Sequence, residues 1–311
     1  MTTAVYATIA VFLLTACVAS VARAWWYARH PPHLRWELYP VPHEDASRAR
    51  YGGSYFETTE WWSAPRRANR IGELVFMARE ILFLHALHTS NRRLWYRSFP
   101  FHAGLYLMLA GGAALLGAGL ASAVRGGPPP GGAWLVLQRA CAAFGWAGVL
   151  LAIAGAGALL LHRLTDRTMK GATAPGDLFN LAFFIAALGL LGLGVWAGPA
   201  GPADLLAIVT GLFRWDLAVN VPFALGAGMV ACAALVAYIP MTHMSHFIGK
   251  YFTYHAVRWD DRPLADRASL AAAIAAHLTY RPTWSANHVG ADGKRSWADV
   301  ASTHPTRGRT P

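Results

Sequence analysis

Three histidines stand at the ends of apolar stretches, where a polar ring is costly. His102 lies in Phe-His-Ala-Gly-Leu-Tyr, and His243 and His246 lie in Pro-Met-Thr-His-Met-Ser-His-Phe-Ile. An imidazole in or beside hydrocarbon needs a partner. Two imidazoles offered by facing helices at the same depth can clamp a haem iron from both sides, and an iron so saturated transfers electrons without binding oxygen. On a continuous helix, residues three apart point about 60° from each other on one face, so spacing alone does not choose between His243 and His246. Gly104, Gly111, Gly112, Gly117 and Gly119 crowd the stretch after His102. Such small residues admit the close approach of another helix or of a flat macrocycle. The three cysteines, Cys17, Cys141 and Cys232, sit singly inside apolar stretches. They form no iron–sulphur, zinc or covalent-haem ligand set.

The elements that must position these histidines follow from composition. Of the 311 residues, 55% are hydrophobic and 14% charged, against the roughly 25% charged of soluble domains. A helix needs about 20 apolar residues to cross about 30 Å of hydrocarbon. Five stretches qualify, at about 5–22, 101–123, 133–161, 178–197 and 219–239. The expected fold class is therefore an all-α integral membrane protein, a five-transmembrane-helix bundle with haem between the second and fifth helices. The expected organisation is a first span at 1–23, an interfacial or cytoplasmic loop at 24–100, a four-helix membrane domain at 101–256 and a tail at 257–311. Residues 126–132 read as a Pro/Gly turn between spans.

The net charge of +11 is unevenly placed. Residues 23–100 hold twelve Lys and Arg, the tail after His243 holds nine, and the loop at 162–176 holds Arg163, Arg167 and Lys170. The two remaining loops hold Arg125 and Arg214 alone. Charge flanking apolar spans argues for membrane topology, not nucleic-acid binding, and the positive-inside rule puts the N-terminus outside and the C-terminus in the cytoplasm. Residues 1–6 carry no Lys or Arg, unlike a cleaved signal, so the first span reads as a retained anchor.

The long loop carries Ser63-Ala64-Pro65 followed by Ile71, Leu74, Val75, Met77, Ala78, Ile81 and Leu82, the pattern of an amphipathic helix. Trp25, Trp26, Trp36, Trp61, Trp62 and Trp95 surround it. The loop is expected at the membrane surface or as a small subdomain against a partner. The tail offers a short helix at 265–277 and reads as extended from 279 on.

Three tracts together resemble the respiratory nitrate reductase gamma subunit family, five-helix b-type cytochromes, and most closely its gamma-like branch that accompanies iron–sulphur proteins of the heterodisulfide-reductase type. Phe101-His102-Ala103-Gly104 is similar to that family's Phe-His-x-Gly. His162-Arg163 through Thr168, Ala172-Thr173 and Asp177 is similar to its basic loop. Pro240 to His246 is similar to its Pro-Phe-Thr/Ser-Arg-Leu-Val-His. Trp36-Glu37-Leu38-Tyr39-Pro40 and Tyr251-Phe252-Thr253-Tyr254-His255 look specific to the gamma-like branch. The resemblance implies that His246, with His102, takes the ligand position and that His243 replaces a basic residue. Two-haem members carry further histidines where this chain has Gly112 and Gly228. One b-type haem near the cytoplasmic face is therefore expected.

Cations at that level, Arg97, Arg163 and Lys250, could meet haem propionates or could be ordinary positive-inside residues. A quinone gains or loses protons with its electrons, so titratable groups near the haem are expected. His85, His88, Tyr106, Asp177 and His243 are the candidates. The resemblance implies menaquinone or ubiquinone as substrate and an iron–sulphur subunit on the cytoplasmic face, with membrane lipid around the bundle in a prokaryotic inner membrane. The competing expectation is a haem-free anchor for a peripheral redox complex. A transporter finds only Arg139 and Pro240 in its favour.

Overall fold

The computed structural model describes residues 1–29, 39–128, 131–198, 202–283 and 292–303. Residues 36–38 of the Trp36–Pro40 tract, Pro129-Pro130 of the inter-span turn, and tail residues 284–291 and 304–311 lie outside the described residues. Among the described residues every regular element is helical. In chain order the helices are α1 (Thr2–Arg29), α2 (Ala46–Tyr51), α3 (Arg70–Phe83), α4 (His85–Ser90), α5 (Arg92–Arg125), α6 (Gly132–Thr165), α7 (Arg167–Lys170), α8 (Pro175–Ala197), α9 (Pro202–Arg214), α10 (Phe223–Tyr238), α11 (His246–Thr253), α12 (Ala268–Leu278) and α13 (Trp297–Ser302). Five spans, α1, α5, α6, α8 and α10 continued to Met241 by a 3-10 turn, are long and apolar enough to cross a membrane. The chain is a multi-pass membrane protein.

It divides into two compact units, one of Met1–Ala24 with Glu73–Phe247, the other of Trp25–Gly72 with Ile248–Pro311. The first unit holds the membrane bundle. Its helices meet backbone to backbone at glycines, as expected where lipid removes the hydrophobic drive for association and close van der Waals contact must replace it. A Cβ at Gly104 of α5 would lie 2.6 Å from Gly148 O of α6, and one at Gly155 of α6 would lie 2.7 Å from Phe101 Cα. On α10 and α8, a Cβ at Gly228 would lie 2.6 Å from Leu191 Cα, and one at Gly194 would lie 2.6 Å from Leu225 Cα. Two apolar clusters fill the bundle. Phe101, Val149, Ala152, Phe184 and Leu235 form one, and Val5, Tyr6, Val195, Ile208, Val221 and Leu225 form the other. Tyr6 of α1 is fully buried and donates its hydroxyl hydrogen to Ile208 O at 3.1 Å. The first span is thus a working member of the bundle.

The helices overrun the apolar stretches. The α5 helix begins at Arg92 and not near Phe101, with Asn91 Oδ1 accepting the Leu94 N–H at 3.0 Å as its cap. In the connection after α8, expected as a loop, α9 folds and buries Ile208 and Val209 against the bundle. The expected amphipathic helix is α3, but it begins at Arg70. Asn69, rather than Ser63, accepts the Gly72 N–H at 2.8 Å.

The second unit joins part of the long loop to the start of the tail, which sequence alone treated as separate. Its centre is Asp261, 5% exposed. The Tyr55 hydroxyl donates to Asp261 Oδ2 at 3.0 Å, Arg66 Nε donates to Oδ1 at 3.1 Å, and His43 Nε2 lies 3.7 Å from Oδ2. Tyr55 stacks on Phe56, and Phe56 meets the edge of Trp61. A carboxylate this buried is tolerable only while paired. Asp261→Ala is therefore expected to cost this unit about 2–3 kcal/mol, seen as a lower midpoint in thermal unfolding followed by tryptophan emission. Burial first, and then the Asp261 carboxylate, push the Tyr55 phenol up from its ordinary 10.0. Between pH 10 and the raised value the folded unit holds more protons than the unfolded chain. Its stability falls as pH rises through that range, and the same melts at stepped pH read this out.

Candidate functional site

His102 sits on α5 two residues after Pro100, which has no N–H to give the Tyr96 carbonyl and presses on it, loosening that turn. His102 Nδ1 lies 2.8 Å from Ser98 O, one turn back, with Ser98 Oγ at 3.3 Å. A carbonyl only accepts, so Nδ1 carries the proton. In the neutral ring this leaves the lone pair on Nε2, the tautomer in which metal-binding histidines are held by a second hydrogen bond. Phe101, buried beside it, packs edge-on against Phe184 of α8 at 4.9 Å and fixes the level of the ring.

The fifth span does not carry its histidines on a continuous helix. After α10 the backbone makes two short 3-10 turns, Ile239–Met241 and His243–Ser245, separated by extended Thr242 (φ −116, ψ −179). Thr242 Oγ1 accepts the Met244 N–H at 3.2 Å, and the buried Ser245 hydroxyl donates to Thr242 O at 2.8 Å. His246 then opens α11. From His243 to His246 the backbone is a 3-10 turn leading into α11, and the two histidines serve different neighbours. The ring of His246 lies 6.4 Å from that of His102, centre to centre. His243 instead reaches Asp177 Oδ1 at 3.2 Å and Asn180 Nδ2 at 3.3 Å.

Asp177 gathers a second cluster at the start of α8. Its Oδ2 accepts from Arg163 Nη1 at 3.1 Å and from the Ala174 N–H at 3.0 Å, so it caps α8 as well as pairing with the arginine and His243. Behind it Asn180, 5% exposed, accepts from the Tyr238 hydroxyl at 2.9 Å. The result is a continuous polar chain from exposed His243 into the helix interior. Asn180 and Tyr238 were missed at the level of sequence. The available signal was an amide inside an apolar span, which needs a partner as much as an imidazole does.

The other candidates are dispersed. Tyr106 lies one turn along α5 from His102, ring centres 6.4 Å apart, and donates to Ile81 O of α3. His85 and His88 are on α4, where His88 packs edge-on against Trp95 at 4.8 Å. Arg97 donates to its own helix at Arg93 O, 2.8 Å away. Lys250 lies one turn along α11 from His246. Gly104 serves the approach of α6 to α5, as shown above.

No family model, characterised protein or solved structure matches the chain. The chemistry rests on the geometry. Among the described residues no three His, Cys, Asp or Glu side chains converge. Gly112 has nothing within 4 Å of a built Cβ and lines an apolar cavity of about 540 Å³ with Met108, Cys141, Trp146, Leu205 and Cys232. Gly228, the other position where a second ligand pair would stand, is pressed against the α8 backbone.

Proposed function

We propose that the protein is the membrane cytochrome b subunit of a respiratory oxidoreductase complex, holding one b-type haem between His102 and His246. The observation that carries this reading is the pairing of their rings at 6.4 Å. Metal–imidazole bonds are about 2.0–2.1 Å long, and each ring centre lies roughly an ångström behind its ligating nitrogen. Rings at this separation would therefore both be within reach of one iron held between them. The fixed tautomer of His102 adds to the fit. Two imidazoles alone hold a bare ion poorly, and a macrocycle brings the missing donors itself. Bound there, the haem supplies one-electron transfer.

The remaining roles fall to the chain's own groups. Ser98 O orients the His102 ring. The Asp177–His243 couple, backed by Arg163, Asn180 and Tyr238, is the protonatable pair for a membrane quinone, menaquinone or ubiquinone, whose electrons move with protons. Arg97, Arg163 and Lys250, the last on the turn after His246, are the cations that a propionate would meet. The charge asymmetry supports an N-terminus outside and a cytoplasmic C-terminus in a prokaryotic inner membrane. On that side the basic, aromatic loop and tail would receive a soluble iron–sulphur subunit, as the resemblance implies. Absence of further ligands at Gly112 and Gly228 supports a single haem.

The full chain, purified from membranes supplied with haem, is expected to show the reduced-minus-oxidised spectrum of a b-type cytochrome and to be reduced by a short-chain quinol. Asp177→Asn and His243→Gln are expected to slow reduction by quinol while leaving reduction by dithionite unchanged. Purification free of b-type absorbance would establish the haem-free anchor instead.

A further inference from the structure

The α3 helix is amphipathic in the inverse sense to a helix of a soluble domain. At 3.6 residues per turn, Ile71, Leu74, Val75, Ala78, Ile81 and Leu82 fall within an arc of roughly 120°. That arc is the exposed one, with Ile71 76% and Leu74 70% exposed. Glu80, on the opposite side, is 5% exposed and accepts the Ala86 N–H at 2.8 Å. Arg70 and Arg79 border the apolar arc on its two edges. A carboxylate turned inward and a row of branched aliphatics turned outward is costly in water and favourable against hydrocarbon.

The depth of the helix is set by the bundle. Tyr106, on the membrane-spanning part of α5, donates to Ile81 O near the end of α3, and Trp95 Nε1 donates to Phe83 O at 2.8 Å. Arg97 and Arg125 bracket the apolar part of α5. Tyr106 therefore lies within a few turns of the level where hydrocarbon gives way to headgroups, and it ties the end of α3 to that level. Tyrosine and tryptophan are the side chains that favour this boundary.

We propose that α3 lies in the bilayer surface as a monotopic helix, its aliphatic arc in the acyl boundary and Arg70 and Arg79 among anionic headgroups. Helices of this kind sink their apolar face about 5–10 Å into that boundary, and binding strengthens with anionic lipid. The occupant of the exposed arc is thus lipid, not a partner protein. The inference stands whether or not the histidines hold haem.

The test uses the full chain with Cys17, Cys141 and Cys232 replaced, reconstituted in liposomes. A single cysteine at Leu74, at Leu82 or, as the water-exposed reference, at Thr58 carries a small fluorophore. The Leu74→Cys and Leu82→Cys labels are expected to be quenched several-fold more than the Thr58→Cys label by lipids bearing a nitroxide high on the acyl chain, and to be shielded from aqueous iodide. Adding phosphatidylglycerol to phosphatidylcholine vesicles is expected to deepen that quenching, and Arg70→Gln with Arg79→Gln to remove the increment. Val75→Cys and Ala78→Cys report on the same arc if either first variant fails to fold. Labels on the arc as open to iodide as the Thr58 reference would overturn the proposal and leave the arc as a protein-docking face.

Discussion

His102→Ala is expected to purify as a folded membrane protein that has lost its b-type absorbance, His246→Ala to do the same, and His243→Ala to keep it. The contrast between the last two is the informative part. All three histidines are near the same face by sequence, and His243 and His246 are separated by Met244 and Ser245 alone. A reading built on a continuous helix would let either serve. The 3-10 turn His243–Ser245 gives way to α11 at His246, and the two rings part: His243 reaches Asp177 and Asn180, while the His246 ring lies 6.4 Å from that of His102. If both rings hold the proposed haem, removing either would take away one of its two bonds to the protein. Haem content per chain should therefore fall from near one to near zero, not by a modest fraction. Full haem retention in His102→Ala would falsify the ligand assignment. Equal loss in all three variants would point to collapse of the 243–246 turn, which retained quinol-independent folding markers, such as a sharp gel-filtration peak, would separate from loss of a ligand.

What was legible in the sequence and what was not divides along physical lines. The five crossings depend on average apolarity over twenty or so residues, a quantity that local sequence contains in full. Their ends were displaced because Arg92, Arg93 and Arg97 are good helix formers as well as charged. Hydropathy stops at them, but the backbone does not. The α9 helix was missed because it is too short to span and its buried pair, Ile208 and Val209, acquires meaning only against the bundle. The second unit was missed for a different reason. Tyr55 and Asp261 are distant in the chain, and no periodicity announces a pairing of that range. In the site, the matching depth of His102 and His246 followed from topology alone. Helical spacing left His243 and His246 open, the resemblance favoured His246, and the different neighbours of the two rings became visible only with the fold. For the glycines after His102 the sequence left helix packing and macrocycle approach both open, and at Gly104 the neighbours Gly148 and Ala152 show that it brings α6 against α5.

That distinction among glycines carries the second large expectation. Gly104→Leu and Gly228→Leu are expected to abolish stable folding, whereas Gly112→Leu leaves the protein intact. A leucine at 104 must enter the space of Gly148 O, and one at 228 the space of Leu191 Cα. Neither neighbour is a side-chain tip that can swing away. Overpacking against movable side chains costs about 1–3 kcal/mol. A clash with helix backbone forces the two axes apart and loses the packing along the whole contact, so the cost exceeds about 3 kcal/mol, a large share of the 5–15 kcal/mol typical of a folded chain. At Gly112 nothing lies within 4 Å, and the new side chain enters the apolar cavity. Thermal melts and gel-filtration profiles in detergent read the three variants directly, and a well-behaved Gly228→Leu would mean that α8 and α10 do not approach as described. The same reasoning bears on the proposal of a single haem. Histidines at 112 and 228 together would supply, on paper, the second ligand pair of the two-haem cytochromes that the chain resembles. Here the first would have room and the second would not. Gly112→His with Gly228→His is therefore expected to fail at folding rather than gain a second cofactor, because in this bundle position 228 belongs to the helix contact.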